Sequence, residues 1–165
     1  MLLLGSGCFW GREYHLRQLP GVLSTSVGFA GGTVPSPTYE QVCEKATGHA
    51  EVVRVAFDVR KLPVRELLIE FLELHDFGHD RRAGGGQYRS AVYALAEDTH
   101  ARELLAEVAV LLTSLRARGL TVVTEVRTVE SFYPAAGRHQ QYCTTRGLQP
   151  KRRAEVDIRV LLTAL

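Results

Sequence analysis

Cys8 stands in GCFWG, residues 7–11, between two glycines and directly after the apolar run Leu2–Leu4. The chain's single tryptophan, Trp10, lies in the same stretch. Packing does not require flanking glycines, whereas a thiol presented at a sharp turn does. A strand that turns into a helix here leaves unpaired helix amides beside the sulfur. Those amides stabilise an anion, so the thiolate is favoured and the Cys8 pKa is predicted to fall. The competing reading is a buried, inert cysteine, the commoner fate of a lone one.

A reactive thiolate needs an acid to work with, and Glu51 is the candidate. From His49 to Asp58 the chain reads as a strand in which Glu51, Val53, Val55 and Phe57 share one face. Arg54 and Asp58 lie on the other. Glu51 thus continues an apolar face, where desolvation raises a carboxyl pKa and keeps it protonated near neutral pH. A glutamate at a strand edge, paired with one of the many arginines, is the alternative.

These residues must be held by the elements around them. Leu2–Leu4 reads as a buried strand. Residues 9–19 have a helical pattern with Trp10, Tyr14 and Arg17 on one face, ended by Pro20-Gly21. Val22–Phe29 reads as a strand closed by Gly31-Gly32, residues 33–38 as an extended loop and Tyr39–Ala46 as a short helix. Pro63–His75 is amphipathic, with Leu67, Leu68, Phe71, Leu72 and His75 at helical spacing. Residues 76–86 read as a loop ending in three glycines, and Ser90–Ala96 as a strand. Asp98 is placed as the cap of a long helix reaching Arg118, which Gly119 stops. Thr121–Val129 is rich in β-branched residues and reads as a strand, residues 130–137 as loop, and Ile158–Leu165 as an apolar tail docked on the core. Strands alternating with helices predict an α/β or α+β sandwich.

The length of 165 residues predicts one domain, 1–165, able to close a core without disulfide staples. A hydrophobic fraction of 45% and a charged fraction of 23% are ordinary for a globular protein. The formal charge of +2 is too small to imply a nucleic-acid partner. Arg81-Arg82 and Lys151-Arg152-Arg153 read as solvated surface. The apolar start lacks the regions of a signal peptide, and no stretch is long enough to span a bilayer, so a cytoplasmic protein with no membrane partner is expected, as a monomer. Three widely spaced cysteines, Cys8, Cys43 and Cys143, do not make a secreted disulfide framework, and without a C-x-x-C pair a zinc knuckle is not expected.

GCFWG (7–11), LPGV (19–22), GFAGG (28–32), TYEQVC (38–43), GHAEVV (48–53), QYRSAVY (87–93) and HQQY (139–142) follow one another in an order and spacing that resembles the A-type peptide methionine sulfoxide reductases. The resemblance covers about residues 5–142. It implies an α+β fold, a mixed β-sheet flanked by helices in a two-layer sandwich with a ferredoxin-like core. It also implies reduction of one epimer of methionine sulfoxide, free or in oxidised proteins and peptides, without a metal or organic cofactor. By this resemblance Cys8 attacks the sulfoxide sulfur, while Glu51, Tyr39 and Tyr88 hold or protonate the departing oxygen. Phe9 and Trp10 wall the substrate methyl. A second thiol then condenses with the Cys8 sulfenic acid, and an external reductant, thioredoxin or a small dithiol, recycles the enzyme.

The chain departs from that pattern in three places. The segment 77–86 is shorter, and Ala83 falls where an aspartate is expected, with Asp80 as a possible substitute. Ala136 and Gly137 replace an acidic pair. Cys143 follows HQQY directly and is the resolving candidate, because Cys43 matches a structural cysteine. Two further readings follow: an altered member that binds oxidised methionine without turnover, and a metal site at His75, Asp76, His79 and Asp80, against which Gly78 argues for a loop.

Overall fold

Leu2, Leu3 and Leu4 can be consecutive and apolar because β1 (Leu2–Ser6) lies between two other strands and is buried on both faces, Leu2 and Leu4 in one apolar cluster and Leu3 in another. The computed structural model describes residues 1–82, 86–152 and 156–163. After β1 come α1 (Phe9–Leu16), β2 (Val22–Ala30), α2 (Tyr39–Cys43), β3 (Ala50–Phe57), α3 (Val64–Leu72) and β4 (Ser90–Leu95). They are followed by α4 (Ala101–Ala117), β5 (Glu125–Val129), β6 (Phe132–Pro134), a 3-10 turn at Gly137–His139, α5 (Tyr142–Thr145) and α6 (Ile158–Thr163).

The strands form one sheet in the order β5-β4-β1-β3-β2-β6. β4 and β5 run parallel, and every other neighbouring pair runs antiparallel. The inner four, β4-β1-β3-β2, arise from a βαββαβ chain order with α1 and α3 as the crossovers. This is the ferredoxin-like core within a mixed α+β sheet. Val27, Phe29, Val53, Val55, Val92 and Ala94 on one face pack with α1, α3, α4 and α6 in the main core. Leu3, Ala50, Val52, Ala91 and Tyr93 form a smaller apolar cluster on the other. β3 is therefore buried on both faces near its start, which the alternation of Arg54 and Asp58 alone did not convey.

Several boundaries differ from expectation for local reasons. The core stripe of α1 is Phe9, Glu13 and Leu16, at helical spacing. The face carrying Trp10 and Arg17 instead meets the α5 region, where Trp10 stacks on Tyr142 and Arg17 Nη1 donates to Gln141 Oε1 at 2.9 Å. Asp98 is not the cap of α4: His100 takes that position, and Asp98 Oδ1 accepts the His100 backbone N–H at 2.9 Å, one turn earlier. The strand expected from Thr121 begins only at Glu125. Residues 130–137, expected as loop, contain β6, which pairs with β2 from Gly28 to Ala30. Most of the tail 158–165 is described, and Ile158 and Leu162 are in the core. Ala83, Gly84, Gly85 and Arg153 lie outside the described residues.

Gly28 is where β6 is fitted to the sheet. A Cβ there would stand 2.7 Å from the Phe132 ring and closer still to the Tyr133 carbonyl oxygen. Gly28→Val is therefore expected to push β6 off β2 and cost about 2–3 kcal/mol, read as a lower urea midpoint at unchanged slope.

Candidate active site

The turn from β1 into α1 puts Cys8 at the helix N-cap, and Gly7 makes it possible with φ 105°, a left-handed backbone that glycine adopts without strain. The Cys8 side chain is exposed, and the Trp10 backbone N–H donates toward its sulfur. That contact and the Arg12 guanidinium lower the thiol pKa, but burial of the sulfur's surroundings outweighs them and the Glu51 charge adds to it. The net pKa is raised. This corrects the expected fall: the helix terminus acts as foreseen, but it is the smaller effect.

Glu51 opens β3 opposite Phe29 and is 1% exposed. Its Oε1 accepts the Phe9 backbone N–H at 3.3 Å, and its Oε2 accepts the Gln87 side-chain amide. The Glu51 backbone N–H donates to Gln87 O at 2.9 Å, so the same residue braces both ends of the acid. Desolvation pushes the Glu51 pKa up to about 7, against the lowering effect of the Gln87 and Phe9 hydrogen bonds. An acid on an apolar strand face, poised near neutrality, is what the alternation predicted, and among the described residues Glu51 makes no ion pair with an arginine.

The phenols come from two other elements. Tyr39 begins α2, whose entry is fixed by a capping box between Thr38 and Gln41. Its ring lies 4.4 Å from the His139 ring and 6.3 Å from each of Phe9 and Trp10, measured between centroids. Tyr88 sits in the turn before β4 and is 38% exposed. Burial first, then the charges of Glu51 and Cys8, push its pKa up to about 12. Burial, a bond to the Cys43 thiol and the Glu51 charge raise that of Tyr39 further. Both phenols are therefore neutral hydrogen-bond donors at any working pH. The Glu51 charge thus acts on Cys8, Tyr39 and Tyr88 alike, and that of Cys8 on Tyr88.

Phe9 is sealed in at 1% exposed, against Phe29, Tyr39 and His139, whereas Trp10 stays half-buried. Tyr142 stacks on Trp10 with centroids 3.9 Å apart. Cys143, the next residue, is 6% exposed on α5 and close enough to Cys8 for its charge to act there. Burial and the nearby Glu13 carboxylate raise its pKa.

Three of the four candidate metal ligands have other employment, and His79 lines a surface cleft instead. His75 bonds Phe71 O at 3.0 Å and Ser90 Oγ at 2.7 Å, and burial pushes its pKa down to about 4. Asp76 Oδ1 accepts the Gly78 N–H at 3.0 Å, and Asp80 pairs with Arg82 at 2.6 Å. Among the described residues no group of three or more His, Cys, Asp or Glu could hold a metal ion. Nor, among them, is any helix long and apolar enough to cross a membrane.

A family model described as peptide methionine sulfoxide reductase matches residues 1–161. The chain belongs to the peptide methionine sulfoxide reductase family. As a member of that family it is an oxidoreductase acting on methionine sulfoxide. It is 48% identical over 146 residues to a curated "Peptide methionine sulfoxide reductase MsrA" of Vibrio cholerae, covering 86% of this chain and 68% of that one. The methionine sulfoxide reductase A of Corynebacterium diphtheriae superposes with a TM-score of 0.78 at 35% identity, over 91% of this chain and 76% of that one. A Saccharomyces cerevisiae structure in its reduced form gives 0.79 at 28% identity, over 92% of this chain and 87% of that one.

Other residues of this reductase fold were not singled out from the sequence, although they stand in the same motifs. Gln87 braces Glu51. Arg89 Nη1 donates to Gly86 O at 2.9 Å and Nε to Tyr93 Oη at 3.1 Å, pinning the turn that carries Tyr88. His139 Nδ1 accepts the Trp10 indole N–H at 3.1 Å. Gln140 ties its loop to the Val27 backbone at 2.8 and 2.9 Å. Glu13, 1% exposed, accepts Thr25 Oγ1 at 2.9 Å and the Gln141 N–H at 2.8 Å, linking α1 to β2 and α5. The signal for Glu13 was an acid at a core position of the helical period.

Proposed function

We propose that Cys8, Glu51, Tyr39 and Tyr88 carry the reduction of methionine S-sulfoxide, and that half-buried Trp10 receives the methyl on its sulfur, with the sealed Phe9 ring as the floor of that wall. The supporting observation is an exposed thiol beside a buried carboxyl with a pKa of about 7, which accepts the N–H of the next residue, Phe9, and whose charge acts on the thiol. The Cys8 sulfur attacks the sulfoxide sulfur as Glu51 gives its proton to the oxygen. The oxygen passes to Cys8 as a sulfenic acid, and methionine leaves as the reduced thioether. Sulfoxide oxygen departs only when protonated, and a neutral carboxyl with two neutral phenols supplies donors without a competing charge.

Cys143 closes the cycle. Its thiol condenses with the sulfenic acid, giving a Cys8–Cys143 disulfide and water, and an external dithiol of the thioredoxin class takes up the disulfide. The bond requires Cα atoms within about 7 Å. Cys143 sits on a four-residue helix entered through left-handed Gln141, an element short enough to rearrange. Residues 1–165 act as one domain of a cytoplasmic, monomeric protein that uses no resident metal or organic cofactor. The test is turnover with two reductants. Cys143→Ser is expected to keep single turnover and dithiothreitol-driven activity within about threefold. Its thioredoxin-driven cycling is expected to fall by about a hundredfold. Unchanged thioredoxin cycling would remove Cys143 from the pathway. Failure of the unmodified protein to reduce methionine sulfoxide with dithiothreitol, while still binding it, would favour the non-catalytic binding reading.

A further inference from the structure

Next to Tyr88 the surface opens into a cleft of about 350 Å³ lined by Lys45, His79, Asp80, Arg81, Gln87 and Tyr88. Gln87 is the brace of Glu51, so the cleft leads outward from the reacting centre. Asp80 is the one carboxylate among these lining residues, and Arg82 takes both its oxygens, at 2.9 and 2.6 Å. It is therefore already neutralised. Among the described residues neither Lys45 nor Arg81 makes an ion pair.

Arg81 also reaches the Gly7 turn that precedes the thiol. A Cβ placed on Gly7 would lie 3.7 Å from Arg81 Nη1 and 3.6 Å from Arg12 Nη2. The Arg81 guanidinium thus spans from the cleft to the turn that presents Cys8, where its positive charge favours an anion at the cleft's inner end. Lys45 adds a second cation from the far wall. It follows α2 with a left-handed φ of 63°, a position where glycine is the usual residue.

We propose that this cleft receives a carboxylate carried by the substrate beside the reacting sulfoxide, with Arg81 and Lys45 as the residues that select it. The inference rests on the reading of Cys8 and Glu51 as the reductase centre. The carboxylate has two sources of the same chemistry: the α-carboxylate of free methionine sulfoxide, or an aspartate or glutamate adjacent to it in a peptide. Either lies a few bonds from the sulfur.

The test compares kcat/KM, with dithiothreitol as reductant, for N-acetyl-methionine-S-sulfoxide, its neutral N-methylamide, and the N-acetyl dipeptide amide of methionine-S-sulfoxide and glutamate. At least one acidic probe is expected to exceed the neutral one by about tenfold, through KM, the size of one or two half-exposed ion pairs. The advantage should shrink with added salt. In an Arg81→Gln, Lys45→Gln protein the ratio of acidic to neutral should fall to about one. Preference for the free carboxylate alone supports the amino-acid source, and preference for the glutamyl probe alone supports the peptide source. Equal turnover of all three overturns the inference and leaves the reductase reading standing. So does a preference that survives in the double variant. Turnover of none overturns both.

Discussion

A Cys8→Ser protein is expected to lose at least about 10⁴-fold in kcat/KM for methionine sulfoxide while remaining folded. Of Cys8, Glu51, Tyr39 and Tyr88, Cys8 alone has an atom that can take the oxygen as a sulfenic acid and then lose it as water when a thiol condenses with the sulfur. A serine hydroxyl is a far weaker nucleophile, and its oxygen has no sulfenic state to pass through. The fold should not register the change. The Cys8 side chain is exposed, and a serine hydroxyl can accept the Trp10 N–H in place of the sulfur, so the exchange should stay within about 0.5 kcal/mol in a urea titration. Mass spectrometry after one equivalent of sulfoxide checks the same claim directly. In the native protein one oxygen appears on Cys8, or a disulfide to Cys143, and in the variant neither does. Residual activity within tenfold of the native protein would move the nucleophile elsewhere. Cys43 would be first in line, since the Gln87 amide already lies 3.4 Å from its sulfur.

What could be read from the chain was whatever depends on neighbours in sequence. The glycine-flanked turn at Cys8 and the alternation that turned Glu51 inward are local patterns, and both stand where expected. The ferredoxin-like arrangement came from the resemblance, with an order of elements that permits it. The thiol pKa was misread because only the helix terminus is visible in sequence. The burial that outweighs it is a tertiary effect, and the charges that add to it come from Glu51 on β3 and Cys143 on α5, far along the chain. The same reason hides the braces. That Gln87 holds Glu51, or His139 holds Trp10, depends on contacts across 36 and 129 residues of chain. β6 escaped because three residues ending in a proline carry too little periodicity to mark a strand; only the cleared space at Gly28 makes room for it.

The pH profile is the second large effect, and its sign follows from counting protons on Cys8 and Glu51 together. Both protons are present at low pH. Glu51 loses its own near pH 7, and the raised Cys8 pKa means the thiol gives up its proton only well above that. Between the two lies the singly protonated pair, mostly thiol with carboxylate. The reactive form, thiolate with neutral acid, is its minor tautomer and rises and falls with it. Native kcat/KM should therefore climb through about pH 7, level off, and fall at high pH as the last proton leaves. In Glu51→Gln only Cys8 titrates. The rate should be lower by about a hundredfold or more near neutrality, rise with the thiolate fraction, and show no fall at high pH. The Cys8 pKa should itself drop, because the Glu51 charge that helped to raise it is gone. Neither phenol can imitate the lost limb, since Tyr88 is held at about 12 and Tyr39 is raised as well. A Glu51→Gln profile that still declines above pH 9 would assign the acid to another group, and the buried carboxyl would then be a brace for the Phe9 amide and nothing more.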